Sequence, residues 1–213
     1  MPAADLQSFV AELEQRGWLK RIRAEVDPIL EITAIADRVT KAGGPALLFE
    51  RVKGSTFPLL INTFGTRERM CLALGCESFD EIATRGKTLI KPEIPTTLLQ
   101  KLKKLPELAQ LGSLPPKIAK RGICQEIVHI ADADLFSLPA LKCWPEDGGR
   151  YITLGSVFTK HPETGDRNVG MYRVQLFEPR LAAMHWHVHH DGARHFRRHQ
   201  QSGQRMPLAI VLG

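Results

Sequence analysis

Apolar positions recur at helical spacing twice near the start of the chain. Leu6, Phe9, Val10 and Leu13 fall on one face of a helix that Gly17 can stop, and Ile32, Ile35, Ala36 and Val39 mark a second amphipathic helix closed by Gly43-Gly44-Pro45. Between them, Leu19 to Val26 reads as a strand ahead of Asp27-Pro28, and Ala46 to Phe49 and Leu59 to Ile61 read as strands around a Lys53-Gly54 turn. Thr66 can cap a short helix through Leu74. Ser78-Phe79-Asp80-Glu81 is a capping-box pattern, in which a hydroxyl and a carboxylate each satisfy a backbone N–H left over at a helix start. Residues 1–90 thus predict a small α/β domain.

The texture then changes. Pro92, Pro95, Pro106, Pro115 and Pro116 punctuate one short Leu/Lys-rich helix, so residues 91–121 suit a linker laid across a surface, with Leu98, Leu102 and Leu105 anchoring it. After Gly122 the pattern turns to strands: Glu126 to Ile130, Tyr151 to Thr159, Asn168 to Leu176, Leu181 to His189 and Leu208 to Leu212, with one helix, Ala193 to Gln201, ended by Gly203. Residues 122–213 predict an incomplete barrel-like sheet. The closing PLAIVLG is an apolar strand with no later partner, and unfinished sheet edges are normally covered, so the chain reads as the N-terminal part of something longer.

Six of the eight histidines lie between His185 and His199. Histidine is the commonest metal ligand and titrates near neutral pH, which makes this density a candidate site. Strand alternation from Leu181 would put His185, His187 and His189 on one face and Met184, Trp186 and Val188 on the other. Two imidazoles in H-x-H on a strand can share a cation or an anionic ligand; the plain alternative is a polar, solvent-facing edge. The isolated His129 and His161 read as structural. A short connection through Glu178-Pro179-Arg180 makes the two preceding runs a β-hairpin, bringing Met171, Tyr172 and Arg173 beside the histidines. Asn168 and Arg173 are an odd number of positions apart, so a ligand shared by both needs Asn168 at the loop junction or a bulge between the two.

Length and composition are those of an ordinary water-exposed protein of one large or two small domains. No apolar run is long enough to span a bilayer, and the amphipathic, acidic start is unlike a signal peptide, which predicts a cytoplasmic protein with at most peripheral membrane contact. Cys71, Cys76, Cys124 and Cys143 form no C-x-x-C pair, so neither a zinc ribbon nor a thioredoxin-like motif is indicated. The net charge of +6 is scattered, clustering only at Arg67-Arg69, Lys101-Lys104 and Arg194-Arg198; an anionic cofactor explains the last cluster as well as nucleic acid would.

The run N-V-G-M-Y-R-V-Q followed by M-H-W-H-V-H-H-D-G-A resembles the cofactor-binding core of the UbiD family of decarboxylases. Three further segments resemble that family in the same order: LEITAIADRVTKAGGPALLFERVKG, INTFGTRERMCLALG and CWPEDGG. The resemblance implies an α+β fold, an N-terminal α/β domain followed by the first part of a split, flavin-reductase-like β-barrel. It implies non-oxidative decarboxylation of an aromatic or α,β-unsaturated acid, polyprenyl-hydroxybenzoate-like as in ubiquinone biosynthesis. The chemistry agrees: losing carbon dioxide from such an acid leaves electrons on an sp² carbon, which demands an electron sink that no side chain supplies.

The implied cofactors are prenylated FMN and Mn²⁺ or Mg²⁺, with K⁺ as a further ion; a divalent cation held by oxygen and nitrogen ligands would neutralise the flavin phosphate. By the same resemblance Asn168 and His185 would bind the metal, and Met171, Tyr172 and Arg173 would line the flavin. Arg173 would also grip the substrate carboxylate, because a guanidinium fork matches that shape and keeps its charge. Trp186, His187, His190 and Asp191 would continue the cofactor contacts. The family's metal-binding glutamate and its product-protonating acid would lie beyond residue 213, since Glu126, Glu146 and Glu178 do not occupy those motif contexts; this piece alone is expected to be inactive. Implied partners are the aromatic acid, a flavin prenyltransferase supplying the cofactor and further copies of the full-length chain, but no nucleic acid. Two other classes stay open: a β-barrel metalloenzyme using His185, His187 and His189, and a basic non-catalytic binding module.

Overall fold

Asp5 opens the first helix: its carboxylate accepts the Ser8 amide at 2.7 Å, and α1 (Leu6–Gln15) runs from there until Gly17, at φ +70°, turns the chain back. In the computed structural model, which describes residues 3–90 and 118–212, this helix leads into β1 (Leu19–Val26). Helix α2 (Glu31–Lys41) then crosses to β2 (Ala46–Val52), which pairs parallel with β1, and β3 (Leu59–Ile61) returns antiparallel to β2. Val26, Ile32, Leu47, Phe49 and Val52 form the core of this layer, while Phe9, Leu13 and Ala46 seal α1 onto it. Thr66 caps α3 (Arg67–Leu74) through its hydroxyl. Every element expected over this stretch is present, because each buries a face that the local pattern already marks.

The described residues fall into two units, one made of the stretches up to Gly75 and from Ala133 onward, the other of Cys76–Asp132. In the second unit, α4 (Phe79–Ile90) begins with the Glu81 amide donating to Ser78 Oγ at 3.4 Å and the Glu77 amide to the Glu81 carboxylate at 2.9 Å. The linker expected over 91–121 lies, up to residue 117, outside the described residues. Glu126 to Ile130 is not a strand: a 3₁₀ turn at Ile123–Gln125 is followed by bends that leave Ile127, Val128 and Ile130 exposed. A strand exists only through a ladder partner, and this segment has none among the described residues.

In the first unit, two expected strands are each cut in two. The run from Tyr151 becomes β4 (Arg150–Ile152) and β5 (Ser156–Lys160); the run from Asn168 becomes β6 (Arg167–Met171) and β7 (Arg173–Glu178). The halves belong to different sheets. One has the order β4-β7-β8, with β8 at Leu181–His185, and the other the order β6-β5-β9, with β9 at Ala209–Val211. Strands that change sheets make the corners of a barrel-like fold. At one corner sits Gly155, where a Cβ would lie 2.8 Å from Ile210 Cγ2. The other is Tyr172.

Strand β8 stops at His185, not His189. Arg173, the first residue of β7, stands opposite His185, so the ladder ends there and His187 to His190 turn into α5 (Asp191–Gln201), the His190 amide bonding the His187 carbonyl at 2.9 Å. The alternation expected of His185, His187 and His189 therefore does not hold. Among the described residues no helix is long and apolar enough to cross a membrane.

Candidate functional site

Pairing between β7 and β8 sorts their side chains. Val174 and Leu176 turn inward to pack with Ala140 and Ile152, so Arg173 and Gln175 must take the opposite face. On that face His185 sits across from Arg173, and its Nε2 lies 3.0 Å from Gln175 Oε1. Tyr151, opposite Gln175 on β4, completes the group: its ring lies 5.7 Å from the His185 ring, edge to face, and 5.7 Å from the Arg173 Cζ above it. An amide oxygen can only accept, so the imidazole donates from Nε2, and in the neutral ring Nδ1 is the nitrogen with the lone pair. Arg173 is exposed, and among the described residues no carboxylate forms an ion pair with it.

The second group forms where β6 ends. Tyr172 is buried, and its hydroxyl accepts the Asn168 Nδ2–H and the Gly192 amide, each at 3.2 Å. Asn168 Nδ2 also donates to Thr159 Oγ1 at 3.4 Å, its registered partner on β5. Thr159 Oγ1 lies 3.0 Å from Nδ1 of His195, a helix residue only 1% exposed. Trp186 and His190 pack on the Tyr172 ring, with centroids 5.9 and 5.4 Å away. Gly170 and Gly192 make this possible: a Cβ at Gly170 would lie 2.5 Å from Tyr172 Cζ, and one at Gly192 would lie 3.0 Å from Trp186 and 3.1 Å from Tyr172. Burial, helped by His161 and Arg194, holds the His195 imidazole below its ordinary pKa.

The expected residues thus gather as two adjoining sets rather than one. Arg173 and His185 share a face of one sheet, and Asn168, Tyr172, Trp186 and His190 surround the corner into the other. Asn168 lies within β6 rather than at a loop junction, and the chain breaks between it and Arg173 at Tyr172. His187 bridges onward, its ring 5.0 Å from His189 and 5.9 Å from His190. Met171 is exposed on β6, and Asp191 forms a surface pair with Arg194 at 3.0 Å. Among the described residues no three His, Cys, Asp or Glu side chains converge to hold a metal, which leaves the His185, His187, His189 set unassembled.

Tyr151, Gln175, Thr159 and His195 escaped the sequence reading. His195 and His199 are four apart on one face of an arginine-rich helix, and that spacing was the signal that they face inward. A separate apolar cavity of about 650 Å³, lined by Val10, Leu48, Leu59, Leu138, Leu141 and others, touches the candidate site only through Tyr151.

Comparison with known proteins adds the family. Residues 10–86 match the 3-octaprenyl-4-hydroxybenzoate carboxy-lyase N-terminal domain, and residues 117–213 match the Rift-related domain of the same carboxy-lyase. An uncharacterised protein of Aquifex aeolicus is 48% identical over 211 residues, covering 98% of this chain and 43% of the relative. Vanillic acid decarboxylase of Sedimentibacter hydroxybenzoicus, in its closed form, is 29% identical with a TM-score of 0.78, covering 98% of this chain and 42% of that one. An evolved dimeric form of the UbiD-class enzyme HmfF from Pelotomaculum thermopropionicum, in complex with prFMN, is 27% identical with a TM-score of 0.75 over 98% of this chain and 44% of that one. The chain spans less than half the length of each of these relatives. Both domains are matched in order, on a fold shared with UbiD-class decarboxylases, and the chain belongs to the UbiD family.

Proposed function

We propose that this chain is the N-terminal part of a decarboxylase acting without oxidation on an aromatic or α,β-unsaturated acid, polyprenyl-hydroxybenzoate-like, with prenylated FMN and a divalent cation, Mn²⁺ or Mg²⁺. The observation that carries the reading is Arg173: a guanidinium unpaired among the described residues, over an aromatic ring and opposite an imidazole, beside the corner that holds Asn168. A charge left without a carboxylate partner on a packed sheet face suits an anionic ligand.

The donor set fits the implied groups. Both hydrogens of Asn168 Nδ2 are taken by hydroxyl oxygens, which leaves Oδ1 as a hard oxygen ligand, and His185 keeps Nδ1 as a nitrogen ligand while Gln175 fixes its ring. A second reading of the nitrogen ligand is favoured by one contact. Tyr172, whose hydroxyl holds Asn168, packs its ring on His190, so one side chain links the His187–His190 turn to the carboxamide. Met171, Tyr172, Trp186, His187, His190 and Asp191 would flank the flavin.

When bound, the prenylated flavin supplies the electron sink that cleavage to carbon dioxide needs. The chain's own residues do the rest. Arg173 binds the carboxylate through two N–H donors, and the Tyr151 ring beneath it restrains the guanidinium plane, a contact worth about 0.5–1 kcal/mol at an exposed site. Tyr172, Trp186 and the two close glycines make the corner rigid, so the carboxamide and the guanidinium keep a fixed separation. Because the product-protonating acid and a further metal-binding glutamate are expected in the remainder of a longer protein, the 213-residue piece would not turn over by itself. Cytoplasmic placement, K⁺ as a further ion, self-association and supply of cofactor by a flavin prenyltransferase belong to the same reading.

The test is to produce the full-length protein together with a flavin prenyltransferase and analyse it by absorbance, mass spectrometry and metal content. Prenylated FMN with manganese or magnesium is the expected result; a protein holding neither nucleotide nor divalent ion overturns the reading. Turnover by the isolated piece with reconstituted cofactor overturns the claim of inactivity alone.

A further inference from the structure

Asn168 is held by two hydroxyls, and the proton count along that chain of bonds has two self-consistent solutions. In the first, Nδ2 donates to Thr159 and Tyr172; Thr159 then gives its own proton to Nδ1 of His195, which carries its hydrogen on Nε2. In the second, the carboxamide is turned over, Oδ1 accepts from both hydroxyls, and Thr159 accepts from an Nδ1–H of His195. The two differ in which end of the carboxamide faces outward, and the state of one imidazole decides between them.

We infer that His195 is a positioning residue: accepting the Thr159 hydroxyl on Nδ1, it locks the Asn168 carboxamide with Oδ1 outward, toward a cation. The inference rests on the proposed role of Asn168 as a cation ligand. Two observations support it. His195 and Thr159 are 1% and 2% exposed, and water is excluded from the bond between them, so no solvent molecule can substitute for the missing proton or lone pair. The opposite hydroxyl is held in place as well: Tyr172 accepts the Gly192 amide, an obligate donor at the start of the helix that carries His195, and this fits either solution, so the Thr159–His195 bond is the one that decides. Helix α5 therefore grips the carboxamide from both sides, through Gly192 and Tyr172 on one and through His195 and Thr159 on the other. A core histidine that merely fills space does not need this tautomer. Burial also lowers the pKa of this imidazole, disfavouring the doubly protonated ring in which Nδ1 could not accept.

The experiment uses the full-length protein and two readouts. ¹⁵N NMR of histidine-labelled protein, with His195 assigned by comparison with His195→Gln, is expected to show hydrogen on Nε2 and an unprotonated Nδ1; hydrogen on Nδ1 overturns the inference. Mn²⁺ binding, followed by electron paramagnetic resonance, is the second. Thr159→Val keeps the side chain's shape and removes the relay, and should weaken Mn²⁺ binding on the order of tenfold or more, with Thr159→Ser restoring it. Circular dichroism checks that each variant is folded. If Asn168→Ala abolishes Mn²⁺ binding while folded Thr159→Val leaves it unchanged, this inference fails and the decarboxylase reading stands. If Asn168→Ala itself leaves Mn²⁺ binding unchanged, the cation role of Asn168 fails, and the role given to His195 fails with it.

Discussion

Arg173 and His185 stand directly opposite each other across β7 and β8, at the last rung of that ladder. One step further the strands part, Tyr172 turning into the second sheet and Trp186 toward helix α5. Backbone pairing thus sets Arg173 against His185, as it sets Asn168 against Thr159 on β5, and side-chain contacts then orient each group: Tyr151 the guanidinium, Gln175 the imidazole, and Thr159 and Tyr172 the carboxamide.

The character of the Arg173 contact makes the conservative change informative. Lysine keeps the charge but loses the planar fork and most of the stacking on Tyr151. Under the proposed decarboxylation, Arg173→Lys in the full-length protein is expected to lower kcat/KM by about tenfold or more with flavin content unchanged, measured as carbon dioxide release against bound-cofactor absorbance.

Space around Tyr172 is already used up. Gly170→Ala places a methyl group 2.5 Å from the ring carbon bearing the hydroxyl, and Gly192→Ala places one 3.0 Å from Trp186. Each should cost about 1–3 kcal/mol, read as a lowered urea midpoint, with Gly170→Ala the more damaging because its nearest neighbour is part of a clamped ring.

Leu13 is fully buried where α1 meets β2. Leu13→Ala removes its packing and leaves a void, so about 2–5 kcal/mol of stability should be lost in thermal or urea unfolding. The candidate site lies on other elements, and Arg173 binding of a carboxylate should survive at temperatures where the variant is folded.

Stability should depend on pH through His195. Its folded pKa lies below the ordinary 6.5, first because of burial and then because of His161 and Arg194, with Asp191 and Asp166 opposing. Below 6.5 the unfolded chain takes up a proton that the folded chain resists, so the unfolded state binds more protons in that window. The contribution is complete above 6.5 and is lost as pH falls through the folded value. Urea midpoints measured over roughly pH 5 to 8 should fall toward acid in the wild type, and the slope should shrink in His195→Gln.

Much of the fold follows from local pattern. The bounds of α1, β1 and α2 come directly from apolar spacing and glycine stops, since each of these elements buries one marked face in a nearby layer. The β7–β8 hairpin follows as well, from two apolar runs around Pro179-Arg180. The breaks at Gly155 and Tyr172 do not, because an alternating run looks the same whether its halves pair with one sheet or with two. His187 and His189 misled for a related reason: alternation continues in the letters after the ladder has run out of partner.

The sequence by itself determined the family, through ordered motifs, and the residue types available for chemistry: a guanidinium, a carboxamide and a cluster of imidazoles. Only the tertiary structure decided which of them face one another. It set Arg173 against His185, moved Asn168 onto another sheet, and tied it through Thr159 to His195, 27 positions further along the chain. Side-chain identity is written residue by residue, but the hydrogen-bonded path through Thr159 exists only after β5 and β6 have paired and the helix has packed on them, since each bond in it joins separate elements.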